Sequence, residues 1–168
     1  AANELKRCLK QITGAEVPMV EESLAVNIPT KVFVGQSSSV RDRVADIAWD
    51  TLPPDAIVIQ TVGKDLILAG GRPRGSVYAV YTFLEDVVGV RWWTSTEQDV
   101  PKRPTLTIGE LNIRYQPTFR YREVYYRDAV WDKGPFAATL KLNGQNANTG
   151  PTLGGNYSIL GFCHTFYQ

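Results

Sequence analysis

The stretch DAIVIQTVGKDLILAGG constrains the fold more than any other part of this sequence. Two apolar runs, Ile57–Val62 and Leu66–Ala69, are separated only by Gly63–Asp65. Short apolar runs joined by a glycine-containing connection are typical of an antiparallel hairpin. The next segment, Ser76–Val88, repeats apolar side chains at helical spacing, and Gly89 stands where a helix would end. The sequence therefore predicts a β-hairpin followed by a helix.

Shorter patterns on both sides of the hairpin indicate further elements. Apolar residues at three- and four-residue spacing over Leu5–Ile12 predict an amphipathic helix, which Gly14 would end. The run Lys31–Gly35 predicts a short strand, and Ser38 or Ser39 is expected to cap a second helix. VGVRWW predicts another strand. This order of helices and strands indicates an α/β (α+β) domain.

The character of the sequence changes near residue 113. Pro101 and Pro104 suit the rim of a sheet, and the first domain is expected to comprise residues 1–113. Residues 114–168, the tail, begin with an aromatic and arginine-rich run and continue as polar, glycine-rich sequence with few apolar side chains. About fifty residues cannot complete a large domain, so the tail is expected to be the beginning of one. Within it, KGPFAATLKLNG predicts a short helix.

Composition and charge exclude several functional classes. Eighteen basic and 17 acidic residues give a net charge of +1, so no long-range field attracts nucleic acid. No apolar run approaches the ~20 residues that a membrane span needs. Cys8, Cys163 and His164 are too few for a disulfide scaffold or a structural zinc site. We therefore expect free thiols and no metal or other cofactor.

The segment AGGRPRGS, between hairpin and helix, has the position of a phosphate-binding loop but lacks its residues. Its glycines do not follow the G-x-G-x-x-G spacing of dinucleotide sites, and Ser76 stands where a Walker loop has lysine. A nucleotide site is therefore the weakest function considered, and close packing of helix on sheet accounts better for Gly75. Arg72 and Arg74 either bind an anion at the helix start or, more commonly, are solvated or paired with acids elsewhere.

In chain order, the segments AANELKRCLKQITGAEVP, KVFVG, LILAGGRPRGSVYAVYTFLEDVVGVRWW and VP resemble a known domain. They are similar to the small α/β domain before the barrel in family 20 hexosaminidases and family 67 α-glucuronidases, where an RG-x-x-Y helix start and a GVRWW-like strand recur. The chain most resembles the bacterial family called domain of unknown function 4838, whose members join this domain to a glycoside-hydrolase-like (β/α)8 barrel.

The resemblance implies a small mixed β-sheet with helices packed on it, as in the second domain of hexosaminidases. It implies that a first strand precedes Ala1, in agreement with a helical pattern that begins without a capping residue. Residues 114–168 would then be the truncated start of the (β/α)8 barrel. The resemblance also implies a secreted, periplasmic or cell-surface location.

The tail carries shorter matches to the same enzymes. PTFRYREVYY resembles the first barrel strand, in which Arg122 matches an arginine that commonly reaches the sugar beside the cleaved bond. KLNGQN resembles the KLN before the second strand of hexosaminidase barrels, and GFCHTFYQ resembles a G-x-x-H-T-F segment. The resemblance implies that the catalytic Asp–Glu pair lies on a later strand, beyond Gln168. Gln145–Asn148 stands where hexosaminidases have H-x-H, which argues against N-acetylhexosamine specificity.

The charged candidates in the tail are Arg122 and three acids, Glu123, Asp128 and Asp132. Arg122 has two interpretations: it donates hydrogen bonds to sugar hydroxyls, or it forms a salt bridge with Glu123 or Asp128. Glycoside hydrolysis generally uses two carboxylates ~5–10 Å apart. Acids mostly lie at protein surfaces, so a structural or solvent-facing role is favoured for these three.

Trp131, Asn146 and His164 complete the candidates for substrate binding. Trp131 would stack on a pyranose ring or pack in a core. His164 would contact substrate or be a packed, hydrogen-bonded side chain. Asn146, like Asn143, would bind sugar hydroxyls or cap a turn.

Two functions remain open from the sequence. The first is a non-catalytic accessory domain with the start of a barrel, from a protein that acts on a carbohydrate substrate; the domain packs on the barrel and the fragment itself is inert. The alternative is a self-standing carbohydrate-binding or scaffold module that uses Arg122, Trp131 and His164 without chemistry.

Overall fold

The computed structural model describes residues 1–131, 135–147 and 149–159 as a mixed α/β structure. The helices are α1 (Ala2–Thr13), α2 (Ser38–Arg43), α3 (Gly75–Thr82), α4 (Arg127–Val130) and α5 (Phe136–Thr139). The strands are β1 (Val32–Val34), β2 (Ile57–Val62), β3 (Asp65–Gly70), β4 (Arg91–Trp92), β5 (Gln98–Asp99) and β6 (Asn112–Tyr115). A π-helical segment, Phe83–Val88, continues α3, and 3₁₀ turns form at Glu22–Leu24 and Pro151–Leu153.

A small mixed sheet has the strand order β1-β3-β2-β6. β1 runs parallel to β3, whereas β2 is antiparallel to both β3 and β6. The predicted hairpin is confirmed. Because Val62 pairs with Asp65, the turn consists of Gly63 and Lys64 alone, and Asp65 belongs to the strand. Gly63 has a φ of 61°, in the left-handed region that glycine adopts readily.

β6 continues the sheet past residue 113, where the sequence predicts a domain boundary. Its residues Asn112–Tyr115 pair with Ile57–Gln60 of β2. The strand predicted from VGVRWW forms only at Arg91–Trp92, and it pairs with Gln98–Asp99 in a separate two-stranded sheet.

Side chains alternate between the two faces of the main sheet, as strand geometry requires. One face packs against α1 and α3 and carries Ile57, Ile59, Leu66 and Leu68. The other face packs against α2 and carries Phe33, Val58, Ile67 and Ala69. Both faces of β2 and β3 are therefore buried, which explains why these strands are almost continuously apolar.

Three predicted helices form, two of them with corrections. α1 is confirmed and ends at Gly14. For α2 the cap is Ser37, whose Oγ accepts a hydrogen bond from Val40 N at 3.2 Å, so the expected Ser38 or Ser39 cap is wrong. The helix expected over Ser76–Val88 is α-helical only to Thr82 and then widens into the π-helical segment.

In the part of the tail that the structure describes, the elements are short. The helix predicted in KGPFAATLKLNG is confirmed as α5. Residues 117–126, expected as a barrel strand, form neither helix nor strand. Within this run, Arg122 O accepts hydrogen bonds from Asn143 N and Gly144 N at 3.0 Å each. These bonds connect the run to a loop, so no strand ladder develops there.

Candidate functional site

Asp55 lies at the centre of a buried group of polar side chains. It precedes β2 with a φ of 71°, a left-handed conformation that Asp tolerates better than most residues. Its carboxylate accepts hydrogen bonds from Arg74 Nε at 2.6 Å, Arg122 Nη2 at 3.1 Å and Asn143 Nδ2 at 2.6 Å. Asp55 and Arg74 are 3% exposed and Asn143 is 0% exposed, so these contacts replace water. We call these four residues the Asp55 cluster.

Arg74 reaches the cluster from the residue before α3. Its Nη1 donates to Gly154 O at 3.3 Å and to Gly155 O at 3.2 Å, and its Cζ lies 4.4 Å from the centre of the Tyr157 ring. Arg74 Nη2 is buried and has no hydrogen-bond partner among the described residues. Because Arg74 forms a salt bridge with Asp55, pairing with an acid is the expected role that the structure shows for it. Arg72 is exposed.

Arg122 forms a salt bridge, but with a partner that the sequence does not suggest. Its Nη2 contacts Asp55, whereas the expected partners were Glu123 or Asp128, and that expectation is wrong. Two of its other N–H groups also donate, Nε to Lys141 O and Nη1 to Phe119 O, at 2.9 Å each. Asp55 lies 67 residues away in the chain, so local spacing cannot reveal it. The bonds to Asp55 and two carbonyls hold Arg122 in a structural position.

Asn143 completes the cluster by connecting two parts of the tail. Its Oδ1 accepts from Arg122 N at 2.8 Å, and its Nδ2 donates to Arg120 O at 2.9 Å as well as to Asp55. The neighbouring Leu142 O accepts a hydrogen bond at 2.8 Å from the hydroxyl of buried Tyr78 on α3. Burial raises the pKa of Tyr78, which keeps this hydroxyl protonated as a donor. The tail is thus bonded to both Asp55 and α3.

Glu123 contacts Asn146, which lies in a turn of the tail. Glu123 Oε1 accepts from Asn146 N at 2.6 Å, and Oε2 accepts from the Tyr121 hydroxyl at 2.7 Å. Asn146 Nδ2 also donates to Glu123 Oε2 at 3.3 Å. A Cβ on Gly144 would lie 2.5 Å from Glu123 Cβ, so glycine is needed for this approach. These contacts connect Asn146 to Glu123, 23 residues earlier in the chain, and neither role open for Asn146 describes this bond.

The remaining acids do not form a described pair with Glu123. Asp128 Oδ2 accepts a hydrogen bond at 3.0 Å from Ser95 N, in the connection between β4 and β5. Asp132 and His164, both named from the sequence, lie outside the described residues.

Trp131 is exposed and stands beside a second exposed ring. Its side chain is 61% exposed, that of Tyr125 is 68% exposed, and the two ring centres are 5.7 Å apart at an interplanar angle of 73°. This edge-to-face geometry leaves ring surface free for a ligand. Since Trp131 is exposed, it is not packed in a core, which was one of the two roles open for it.

The glycines before α3 allow close packing. A Cβ on Gly75 would lie 2.3 Å from Ala56 O and 2.6 Å from Gly70 C, so any side chain there would push helix and hairpin apart. These contacts agree with the packing role that the sequence favours for Gly75.

Sequence reasoning missed Asp55 as a site residue. The available signal is the segment PPDAIVIQ, in which two prolines are followed by an acid. This acid stands just before a strand that is buried on both faces. An ionisable residue at the start of such a strand will be desolvated, and it then needs charged or polar donors.

The described residues hold no group of three or more His, Cys, Asp or Glu side chains placed to bind a metal ion. Within the same ranges, no helix is long and apolar enough to cross a membrane. Comparisons of this chain with protein-family models, with curated proteins and with solved structures found no match.

Proposed function

We propose that this chain is the non-catalytic accessory α/β domain, with the start of a (β/α)8 barrel, of a glycoside-hydrolase-like protein that acts on a glycan outside the cytoplasm. The accessory domain braces the barrel and performs no chemistry itself. The observation that carries the proposal is the Asp55 cluster, because it joins the sheet domain to the tail through buried, charged hydrogen bonds.

The cluster is built from both parts of the chain. Asp55 and Arg74 belong to the sheet domain, and Arg122 and Asn143 belong to the tail. Removing one partner from a buried ion pair leaves an uncompensated charge, so the arrangement is maintained only when both parts are in place. A domain whose task is to brace its neighbour needs such a connection.

The described residues of the tail form little core of their own, which also favours bracing. Its buried cluster consists of Ala129, Ala137, Leu142 and Ala147, three of them alanines. Ala138 of α5 packs instead into the main core beside α1 and α3. Because small side chains bury little apolar area, the tail depends on the sheet domain for stability.

The two acids discussed above that the structure describes, Glu123 and Asp128, support a non-catalytic role for this part of the protein. Glu123 is bonded to Asn146 and Tyr121, and Asp128 is bonded to the backbone of residue 95. Carboxylates held by neighbouring groups in this way serve the fold. A catalytic pair on a later strand is what the resemblance to glycoside hydrolases implies.

The test combines the encoding gene with an activity assay. The proposal expects the reading frame to continue past Gln168 with alternating strand and helix patterns and paired acids at strand ends. It also expects a panel of chromogenic glycosides to be hydrolysed by the complete gene product and left intact by the 168-residue chain. A stop codon directly after Gln168, or hydrolysis by the 168-residue chain, would contradict it.

A second candidate function is a carbohydrate-binding module, favoured by the exposed pair Tyr125 and Trp131. Aromatic rings offer a flat apolar surface that suits the apolar face of a pyranose. The expected result is glycan-array binding that Trp131→Ala abolishes. Trp93 is 66% exposed and provides the matched control, since Trp93→Ala should leave binding unchanged. Equal binding by both variants and the unmodified chain would rule out the pair as a platform.

A further inference from the structure

A cavity of about 380 Å³ lies beside the Asp55 cluster, between the loop that precedes β2 and the segment that follows β6. Its polar lining consists of Asp55, Gln116, Thr118, Arg120, Arg122 and Tyr157. Its volume suits a small ligand.

Positive charge around this cavity exceeds negative charge. Arg74 and Arg122 both bond to Asp55, and Arg120 adds a third guanidinium whose Cζ lies 5.2 Å from the centre of the Tyr157 ring. These three guanidinium groups and the one carboxylate give a net charge of +2. Arg74 does not line the cavity, but it pairs with Asp55, which does; Arg74 is 3% exposed, and its Nη2 is unsatisfied among the described residues. Buried positive charge of this kind favours an anionic ligand nearby.

The hydrogen-bonding groups of the lining are mainly donors. Arg120 is exposed, and within the described residues its guanidinium contacts the Tyr157 ring without donating a hydrogen bond. Arg122 donates to Lys141 O, Phe119 O, Asp55 and the Tyr78 hydroxyl, so one of its five N–H groups remains. The one carboxylate, Asp55, already accepts three hydrogen bonds. Donors in excess over acceptors suit an oxyanion better than a neutral polyol.

We propose that this cavity binds a small oxyanion, held by the Arg120 guanidinium and the remaining N–H group of Arg122, with the ring of Tyr157 fixing Arg120. Planar, delocalised guanidinium groups match the oxygens of carboxylates and of tetrahedral anions. The site does not depend on carbohydrate chemistry, and it stands whether or not the chain belongs to a glycoside hydrolase.

The test is isothermal titration of the 168-residue chain with sodium sulfate and, separately, with sodium acetate, at constant ionic strength set by sodium chloride. At least one anion should bind saturably. Arg120→Gln should weaken that binding about tenfold, because it removes the exposed guanidinium and leaves the Arg120 carbonyl on Asn143 in place. Arg127→Gln is the matched control, since Arg127 is also exposed, lies in the tail and does not line the cavity.

The two anions distinguish the possible ligands. Tighter sulfate binding identifies a tetrahedral oxyanion, and tighter acetate binding identifies a carboxylate; either supports the site if Arg120→Gln alone weakens it. Absence of saturable binding by both anions would overturn the proposal. Equal weakening by Arg120→Gln and Arg127→Gln would overturn it as well, because only nonspecific attraction responds to net charge alone. Thermal unfolding of both variants confirms that each remains folded.

Discussion

Arg74 Nε donates to Asp55 Oδ1 over 2.6 Å, and both side chains are 3% exposed. This buried ion pair joins Arg74, the residue before α3, to Asp55, two residues before β2. Because Asp55 also accepts from Arg122 and Asn143, the pair connects the sheet domain to the tail. The stability of the tail should therefore respond to changes made in the sheet domain.

We expect Asp55→Asn to lower the free energy of unfolding by about 3–5 kcal/mol, because it leaves Arg74 buried without a counter-charge. Urea denaturation measures this change. The matched control is Asp46→Asn, which breaks an exposed salt bridge to Arg114 with an N···O distance of 2.7 Å and should lower the free energy of unfolding far less. Similar small losses in both variants would show that the buried pair contributes no more than a surface pair.

We expect Gly75→Ala to lower the free energy of unfolding by about 1–3 kcal/mol, because the new methyl group would lie 2.3 Å from Ala56 O. A backbone oxygen cannot rotate away as a flexible side chain would. Gly109→Ala is the control, since a Cβ there meets nothing within 4 Å. Thermal denaturation should show a lower midpoint for Gly75→Ala only. An unchanged midpoint would mean that helix and hairpin can separate at little cost.

Local patterns were sufficient to predict the hairpin and the main helix. β2 and β3 are adjacent in sequence, so the apolar runs and the glycine between them specify the pairing. The π-helical segment at Phe83–Val88 was not predictable, because apolar spacing does not distinguish i+4 from i+5 hydrogen bonding over six residues.

The candidate site could be predicted only in part. Arg122 and Asn143 were recognised as polar residues with possible structural roles, but Asp55 was not. Its partners Arg74, Arg122 and Asn143 lie 19, 67 and 88 residues from it. Sequence periodicity carries no information at such separations, because those contacts are made by tertiary folding.

We expect stability to fall in alkaline solution, in part through Cys8. Burial raises the pKa of this free thiol from 9.0 to about 12. The folded state therefore favours the protonated thiol. The contribution of Cys8 to the free energy of unfolding is complete below pH 9.0 and is lost as pH rises from there toward about 12. Urea denaturation at several pH values should show this decline. Cys8→Ala lacks the thiol and should decline less steeply; an identical pH dependence would contradict the assignment.

We expect Tyr78→Phe to loosen the tail selectively, because it removes the hydroxyl that donates to Leu142 O at 2.8 Å. The loss of this buried bond should cost about 1–3 kcal/mol, since the carbonyl is left without its partner. Limited trypsin digestion with mass spectrometry should then show faster cleavage after Arg120 and Arg127. Tyr115→Phe is the control, since Tyr115 is 58% exposed, and it should be cleaved like the unmodified chain. Faster cleavage spread equally over the sheet domain and the tail would indicate global destabilisation instead. Equal cleavage in both variants would show that α3 does not hold the tail through this bond.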